Sequence, residues 1–143
     1  MTNSIDEIAG ARCILAIGTN TTVAHPVLAL RIKEAVAKGA TLIVANPKEI
    51  DLCRHAAVFL HQRPGTNVPL LMGMMRVIIE EGLTDEAFIA ERCVDYGVFC
   101  QSLDQFKLDF VEQTTGVARA KIIEAVARCV LMVDAERPRT RVR

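Results

Sequence analysis

A chain of 143 residues, with 51% hydrophobic and 24% charged residues, has the composition of one globular domain and not of a disordered segment. Its 17 basic and 17 acidic residues give a formal net charge of zero, which argues against a protein that binds nucleic acid through bulk charge. Aromatic residues make up 4% and Trp is absent, so an aromatic platform for stacking nucleic-acid bases is not expected either.

Three short apolar runs predict β-strands: the first stops at Gly18, the second stops at Asn46, and the third leads to Pro64 and Gly65. They are Cys13–Ile17, Thr41–Ala45 and residues 56–60. The runs are continuously apolar rather than alternating, which is typical of strands that are buried on both faces. We therefore predict an α/β fold with a short parallel sheet covered by helices.

The segments between the strands have a helical period. Residues 26–38 predict a helix that begins at Pro26, a residue suited to the first helical turn. The link between the second and third strands is short and leaves room for about one helical turn. A second long helix is predicted over residues 68–81, with Thr66 or Asn67 as its cap.

The pattern after Gly82 is helical throughout. It predicts one helix that is capped by Thr84 and runs to residue 92, and another that is capped by Ser102 and runs to residue 113. A last amphipathic helix is predicted over residues 118–132. The chain thus ends in a helical segment.

We predict a single domain over residues 1–133, with an α/β part over residues 1–82 and a helical part over residues 83–133. Residues 134–143 are predicted to be a basic tail, because residues 137–143 hold four Arg and no acidic residue. No internal repeat is visible.

The five cysteines are scattered, and none forms a C-x-x-C pair. We therefore expect reduced thiols, a cytoplasmic location and no metal site built from this chain alone. The longest stretch without Lys, Arg, Asp or Glu, residues 13–30, contains Gly18 and Pro26, so no membrane span is expected. The acidic N-terminus lacks the basic region of a secretory signal.

Three polar loops follow the three predicted strands. They read GTNTT (residues 18–22), NPK (46–48) and RPGTN (63–67). Ligands of open parallel sheets bind outside the carboxyl ends of the strands, so we expect the loops to converge at one edge. The first and third loops lead towards helix N-termini, whose free N–H groups suit a phosphate.

The candidate binding residues are Gly18, Thr19, Asn20, Asn46, Lys48, Gly65, Thr66 and Asn67. Gly18 would let the backbone approach a ligand closely, and Lys48 adds positive charge. The Thr and Asn side chains can hydrogen-bond sugar hydroxyls or phosphate oxygens. Neither a G-x-G-x-x-G fingerprint nor a phosphate-binding loop with G-K-[ST] is present, so the residues indicate a nucleotide-like ligand without naming it. The alternative, that these residues only turn the chain and cap helices, stays open.

Groups that could perform catalysis are scarce. His25 precedes Pro26, where a packing or capping role is expected, and His55 and His61 flank the third predicted strand. Nothing assembles a triad, a dyad or a metal cluster. We therefore predict no catalytic residue and no metal ligand, and interpret the chain as a binding domain without its own catalytic apparatus.

Six segments, taken in their order and spacing, carry a family resemblance. They are IGTNTTVAHPVLA (17–29), KGATLIV (38–44), NPKEID (46–51), RPGTNV (63–68), VIIEEGL (77–83) and TTGV (114–117). As a set they closely resemble the catalytic (alpha) subunit of molybdenum- or tungsten-dependent formate dehydrogenases, which belong to the molybdopterin oxidoreductase family. The similarity covers about residues 3 to 133. It implies a Rossmann-like, three-layer α/β domain followed by a helical C-terminal segment.

The resemblance also implies a cofactor, one of two molybdopterin guanine dinucleotides that carry Mo or W in the complete enzyme. The loops matching residues 18–20, 46–48 and 65–67 would approach its nucleotide end. Asn46 and Lys48 stand where the family commonly has Asp and Arg, and Val23 stands where an acidic residue is common. The family's catalytic Cys or selenocysteine and its iron–sulfur cysteines have no counterpart in this sequence.

We therefore expect a molybdopterin guanine dinucleotide-binding domain of a formate dehydrogenase-type oxidoreductase, in which the complete enzyme oxidises formate to CO2. The chain would be a piece that is inactive alone, and its partners would be the remaining domains or subunits. Two alternatives stay open. One is a stand-alone nucleotide-binding module, and the other is an inactive structural remnant whose apolar surface drives self-association.

Overall fold

The computed structural model describes residues 4–134, with the backbone alone for residues 131–134. The chain folds as two compact units. The described residues of the first unit are 4–61 and 127–134, and the second unit contains residues 62–126. From residue 135 onward, the predicted basic tail lies outside the described residues.

The first unit is built on a parallel sheet with the strand order β1-β2-β3, as far as the described residues show. β1 spans Cys13–Ile17, β2 spans Thr41–Ala45 and β3 spans Val58–Leu60. The α/β fold with a short parallel sheet is thus confirmed, and β1 and β2 have the predicted bounds. β3 is two residues shorter than predicted because the N–H of Ala56 donates to Cys53 O (3.2 Å) and closes a helical turn there.

Helical segments connect the strands of the first unit. α1 spans Thr21–Ala24 and α2 spans Pro26–Ala37, and both lie between β1 and β2. Two 3-10 segments, Ile5–Gly10 and Asp51–His55, precede β1 and join β2 to β3. The start of α2 at a proline is confirmed. The pattern did not predict α1 or the first 3-10 segment, because each is too short to show a helical period.

One face of the sheet forms the core of the first unit. Alternate strand residues point to this face, where they pack with α2 and the β2–β3 link. The buried members of this cluster are Ala16, Ile32, Leu42, Val44, Ile50 and Leu52. Because β2 is the middle strand, four of its five residues are buried, which explains why its sequence is apolar without alternation.

A disulfide joins Cys13 in β1 to Cys129 in α7, which spans Arg119–Asp134 and whose last residues belong to the first unit. The two Cα atoms are 5.5 Å apart, within the usual range for a disulfide. For these two residues, the prediction of reduced thiols is wrong, because 116 positions separate them and no local pattern could pair them. The free cysteines among the described residues include Cys53, Cys93 and Cys100.

The described second unit is helical throughout. In chain order it contains α3 (Asn67–Glu80), α4 (Glu86–Arg92), α5 (Tyr96–Ser102), a 3-10 turn (Leu103–Gln105), α6 (Leu108–Thr115) and the first turns of α7. α3 and α7 lie within two residues of their predicted bounds. None of the helices in residues 4–134 is long and apolar enough to cross a membrane.

Two predicted helix caps in the second unit are wrong. Asp85, and not Thr84, caps α4, where its carboxylate accepts a hydrogen bond from Phe88 N (3.0 Å). Ser102 is the last residue of α5 and caps no α-helix: its hydroxyl donates to Phe99 O (2.6 Å), and only a 3-10 turn follows it. The next α-helix therefore begins only at Leu108.

Gly73 lies where α3 packs against α6. A Cβ atom at this position would stand 2.9 Å from Val111 Cγ1. Gly→Ala inside a helix ordinarily stabilises by about 1 kcal/mol. At this contact we instead expect Gly73→Ala to lower the free energy of unfolding in urea by about 1–3 kcal/mol, because it overpacks the site.

The matched background for this test is Val111→Ala, which removes the methyl groups that the new Cβ would meet. In that background Gly73→Ala should be neutral or stabilising. An equal loss in both backgrounds would contradict the close approach of α3 and α6.

Candidate functional site

The first candidate loop leaves β1 through a left-handed residue. Gly18 has φ 61°, a conformation that residues with a Cβ rarely adopt. Its N–H donates to Ala45 O (2.9 Å), so the turn is fixed to the end of β2. Thr19 is half-buried and Asn20 is exposed, so the loop presents polar groups at the carboxyl edge of the sheet.

Asn46 ties the second loop to the first. It is 7% exposed, and its backbone N–H donates to Leu60 O (3.2 Å). Its Nδ2 donates to Thr19 O (3.0 Å), and its Oδ1 accepts from Lys48 N (2.9 Å). The structure therefore brings the first two predicted loops together, and Asn46 is the side chain that holds them.

Lys48 supplies a positive charge at this edge. Its side chain is exposed and forms no ion pair within the described part of the chain. The loop below it is held by His61, whose Nε2 donates to Pro47 O (3.0 Å) in the tautomer that carries its proton there. The His61 ring stacks on Phe59 with 5.3 Å between centroids, so the loop backbone is braced while the ammonium stays available.

Asp51, just after the second loop, has a charge that is already paired, unlike that of Lys48. Lys33 Nζ lies 2.7 Å from Asp51 Oδ2. This hydrogen bond, with the charge of Lys33, holds the pKa of Asp51 below its ordinary value. The carboxylate is thus already neutralised, and it adds little repulsion towards an anionic ligand.

The third loop belongs to the second unit, where Arg63 anchors it. The N–H of Arg63 donates to Thr115 O (2.8 Å), and its Nη1 donates to Gln113 O (2.7 Å). These carbonyls lie at the end of α6, where helices leave acceptors unsatisfied. The guanidinium therefore caps α6, and its positive charge is already engaged there.

The three candidate residues of this loop have different surroundings. Gly65 is exposed with φ 79°, and a Cβ there would meet nothing within 4 Å. The Thr66 hydroxyl donates to Arg63 O (2.7 Å) and does not cap α3. Asn67 is exposed, and its Oδ1 accepts from Gln62 Nε2 (2.9 Å). The loop thus presents an open backbone at Gly65 and a partly occupied amide at Asn67.

The helix N-termini are weaker anion sites than the sequence suggested. α1 has four residues, which is too short for a useful dipole, and α2 begins at a proline without an N–H. In α3, Pro69 removes one donor, and Leu70 N already bonds Thr66 O (3.1 Å). The first turn of α3 is therefore left with the N–H groups of Asn67 and Val68.

Unsatisfied buried oxygens lie beside the candidate loops. Within the described residues, Thr21 Oγ1, Thr22 Oγ1 and Gln62 Oε1 are buried without a hydrogen-bond partner. Such atoms are rare because each costs about 1–3 kcal/mol, and they call for a ligand or water. Sequence reasoning missed all three as site residues. The Thr pair stood within the first loop, whereas nothing local indicated that Gln62 is buried.

The described residues contain no group of three or more His, Cys, Asp or Glu that could hold a metal ion. His25 and His55 are exposed. The arrangement at the sheet edge can therefore bind and orient a polar ligand through backbone groups, amides and Lys48, and it offers no assembled acid–base pair.

The family model described as molybdopterin oxidoreductase matches residues 1–135. The chain belongs to the molybdopterin oxidoreductase family. This match confirms the resemblance found in the sequence segments.

Two similar proteins support this family assignment. The alpha subunit of F420-dependent formate dehydrogenase 1 from Methanococcus maripaludis is 38% identical over 125 residues, covering 87% of this chain and 18% of that protein. Formate dehydrogenase H from Escherichia coli is 34% identical over 125 residues, with the same coverage. The chain is thus related to formate dehydrogenase alpha subunits and spans about a fifth of their length.

Among solved structures, acetylene hydratase from Pelobacter acetylenicus matches with a TM-score of 0.76 and 28% sequence identity. The match covers 94% of this chain and 19% of that chain. The fold is therefore shared within the family, including with a protein that has a different named activity.

Proposed function

We propose that this chain binds the nucleotide end of a molybdopterin guanine dinucleotide as one domain of a formate dehydrogenase-type oxidoreductase. The observation that carries the proposal is the Asn46 bridge, which fixes the first two loops side by side at the carboxyl edge of the sheet. This edge is where open α/β sheets bind ligands. The relationship to formate dehydrogenase alpha subunits supports the choice of cofactor.

The residues present fit a group that carries phosphate and ribose. Gly18 gives a backbone that a ligand can approach, Asn20 is an exposed amide, and Lys48 is an exposed cation. The unpartnered hydroxyls of Thr21 and Thr22 beside this loop add groups that seek a partner. Lys48 attracts an anion as a point charge, without the two-pronged geometry of Arg.

When bound, the metal–pterin group supplies the redox chemistry, and the protein contributes binding and orientation. In the proposed division of labour, this chain holds the nucleotide end, and formate oxidation requires the remaining domains or subunits of the enzyme. Residues 65–67 of the second unit are also proposed as cofactor-binding residues, because their segment is part of the family resemblance.

The test is binding of GMP and GDP to the purified chain. We expect both to raise the melting temperature, whereas AMP and ADP should raise it less. Gly18→Ala should weaken GMP binding at least tenfold, because the added Cβ strains the left-handed turn and blocks the backbone.

Gly39→Ala is the matched control. Gly39 also has a positive φ (101°) in the first unit, but it precedes β2 at the opposite edge of the sheet. Both variants should lose about 1–2 kcal/mol of stability, and only Gly18→Ala should lose binding. Equal affinity in both variants, or no stabilisation by any guanine nucleotide, would contradict the proposal.

A second candidate is a stand-alone module for another phosphorylated ligand. Val23 favours it, because this apolar side chain is 78% exposed beside the first loop, where the family commonly has an acidic residue. A melting temperature raised by an unrelated nucleotide, and unchanged by GMP and GDP, would support this candidate over the first.

A further inference from the structure

Gln62, which immediately precedes the RPGTN loop, is a buried side chain whose amide is only partly used. It is 2% exposed, and its Nε2 donates to Asn67 Oδ1 (2.9 Å). Its Oε1 is buried and has no hydrogen-bond partner among the described residues. A buried oxygen without a partner lowers stability, and proteins retain such departures from good packing chiefly at functional sites. Gln62 therefore calls for a role other than packing.

The hydrogen bond from Gln62 determines which atoms Asn67 presents to a ligand. A side-chain amide has one acceptor oxygen and one NH2 group with two donors. Because Gln62 donates to the oxygen, the planar amide of Asn67 directs its Nδ2 away from Gln62. Asn67 itself is exposed. It therefore offers N–H donors to a ligand, while its acceptor is held by the buried side chain.

The first turn of α3 adds further donors beside this amide. α3 has 14 residues, so its aligned peptide dipoles leave a partial positive charge at the N-terminus. Thr66 precedes α3 but does not cap it, because its hydroxyl donates to Arg63 O (2.7 Å). The other nearby acceptor, Asn67 Oδ1, is held by Gln62. Neither side chain therefore occupies the backbone N–H groups of Asn67 and Val68, which adjoin Asn67 Nδ2.

We propose that Gln62 is a positioning residue, which holds Asn67 so that its Nδ2 and the first N–H groups of α3 bind one phosphate group together. Phosphate oxygens accept from all of these donors and carry the negative charge that a helix N-terminus favours. The inference rests on the proposed function, in which residues 65–67 bind a cofactor that carries phosphate. It adds a residue that lies outside all six segments of the family resemblance.

Gln62→Met separates a positioning role from a structural one, because methionine has a similar length and no amide. The variant loses the unpartnered Oε1 together with the donor to Asn67, so it should unfold at the same urea concentration as the wild type or a higher one. GMP should nevertheless bind about three- to tenfold more weakly, because the ligand must now order the Asn67 side chain. Gln101→Met, at an exposed position of α5, is the matched control and should change neither property.

NMR titration of the ¹⁵N-labelled chain with GMP and with inorganic pyrophosphate measures the affinities, since the backbone amides of Asn67 and Val68 report on this site directly. Asn67→Asp keeps an oxygen that Gln62 can hold and replaces Nδ2 with a second carboxylate oxygen. It should weaken both ligands roughly tenfold or more, and at this exposed position it leaves the core unchanged. In an Asn67→Ala background, Gln62→Met should cause no further loss, because no amide remains to be positioned.

Unchanged affinity in Gln62→Met, or an equal loss with and without the Asn67 amide, would overturn the positioning role and leave the proposed function in place. A response to GMP without one to pyrophosphate would overturn phosphate as the group that is bound. If neither ligand shifts the Asn67 and Val68 amides of the wild-type chain, residues 65–67 do not bind the cofactor as proposed, and the role of Gln62 falls with them.

Discussion

Replacing Cys129 with Ser should lower the free energy of unfolding by about 3–5 kcal/mol under non-reducing conditions. The Cys13–Cys129 bond closes a loop over 116 positions, so its loss returns a large conformational freedom to the unfolded chain. Equilibrium urea unfolding measures the effect. Such a loss is a large part of the total stability of a domain of this size.

The control for this prediction is Cys93→Ser, since Cys93 is free and exposed. It should change the stability by less than about 0.5 kcal/mol. A reductant should bring the wild-type chain to the level of Cys129→Ser and leave that variant unchanged. If the reductant does not change the free energy of unfolding of the wild-type chain, the disulfide does not stabilise the chain and the prediction is wrong.

Asn46→Leu should lower the free energy of unfolding by about 2–4 kcal/mol and weaken GMP binding at least tenfold. Leucine has nearly the same shape, but it leaves Thr19 O and Lys48 N without their partner at a buried position. The loss of both bonds releases the first loop from the second. Urea unfolding and calorimetric titration with GMP measure the two effects.

Two further variants separate the parts of this prediction. Asn46→Asp keeps the acceptor for Lys48 N and loses the donor to Thr19 O, so its loss of stability should be intermediate. Asn20→Ala, at an exposed position, should weaken binding with little change in stability. Full stability of Asn46→Leu would contradict the bridging role of this side chain.

The elements that the sequence predicted well are those whose signals are local and repeated. β1 and β2 are continuous apolar runs with clear ends, and α2 begins at Pro26 as expected. The prediction that Ser102 caps a helix was wrong because a hydroxyl beside a turn can bond either the start or the end of a helix, and its neighbours decide which. The Cys13–Cys129 bond could not be predicted, because it depends on where α7 ends in space and not on any spacing in the chain.

The same division holds for the candidate site. The geometry of parallel strands was enough to predict that the loops after β1 and β2 meet. The sequence did not reveal whether a polar side chain is available to a ligand or hydrogen-bonded within the protein, because this depends on contacts from distant segments. The side chain of Asn46 hydrogen-bonds the backbone of the first loop, that of Arg63 bonds the end of α6, and that of Gln62 is buried.

The hydrogen bonds from Arg63 to the end of α6 join two segments that are distant in the sequence, the RPGTN loop and residues 113–116. Its guanidinium reaches Gln113 O across 50 positions of the chain, and Gly116, in a left-handed conformation, lies against the same side chain. The conformation of the RPGTN loop therefore depends partly on residues 113–116. Any transplant of this loop into another scaffold would have to carry that second stretch with it.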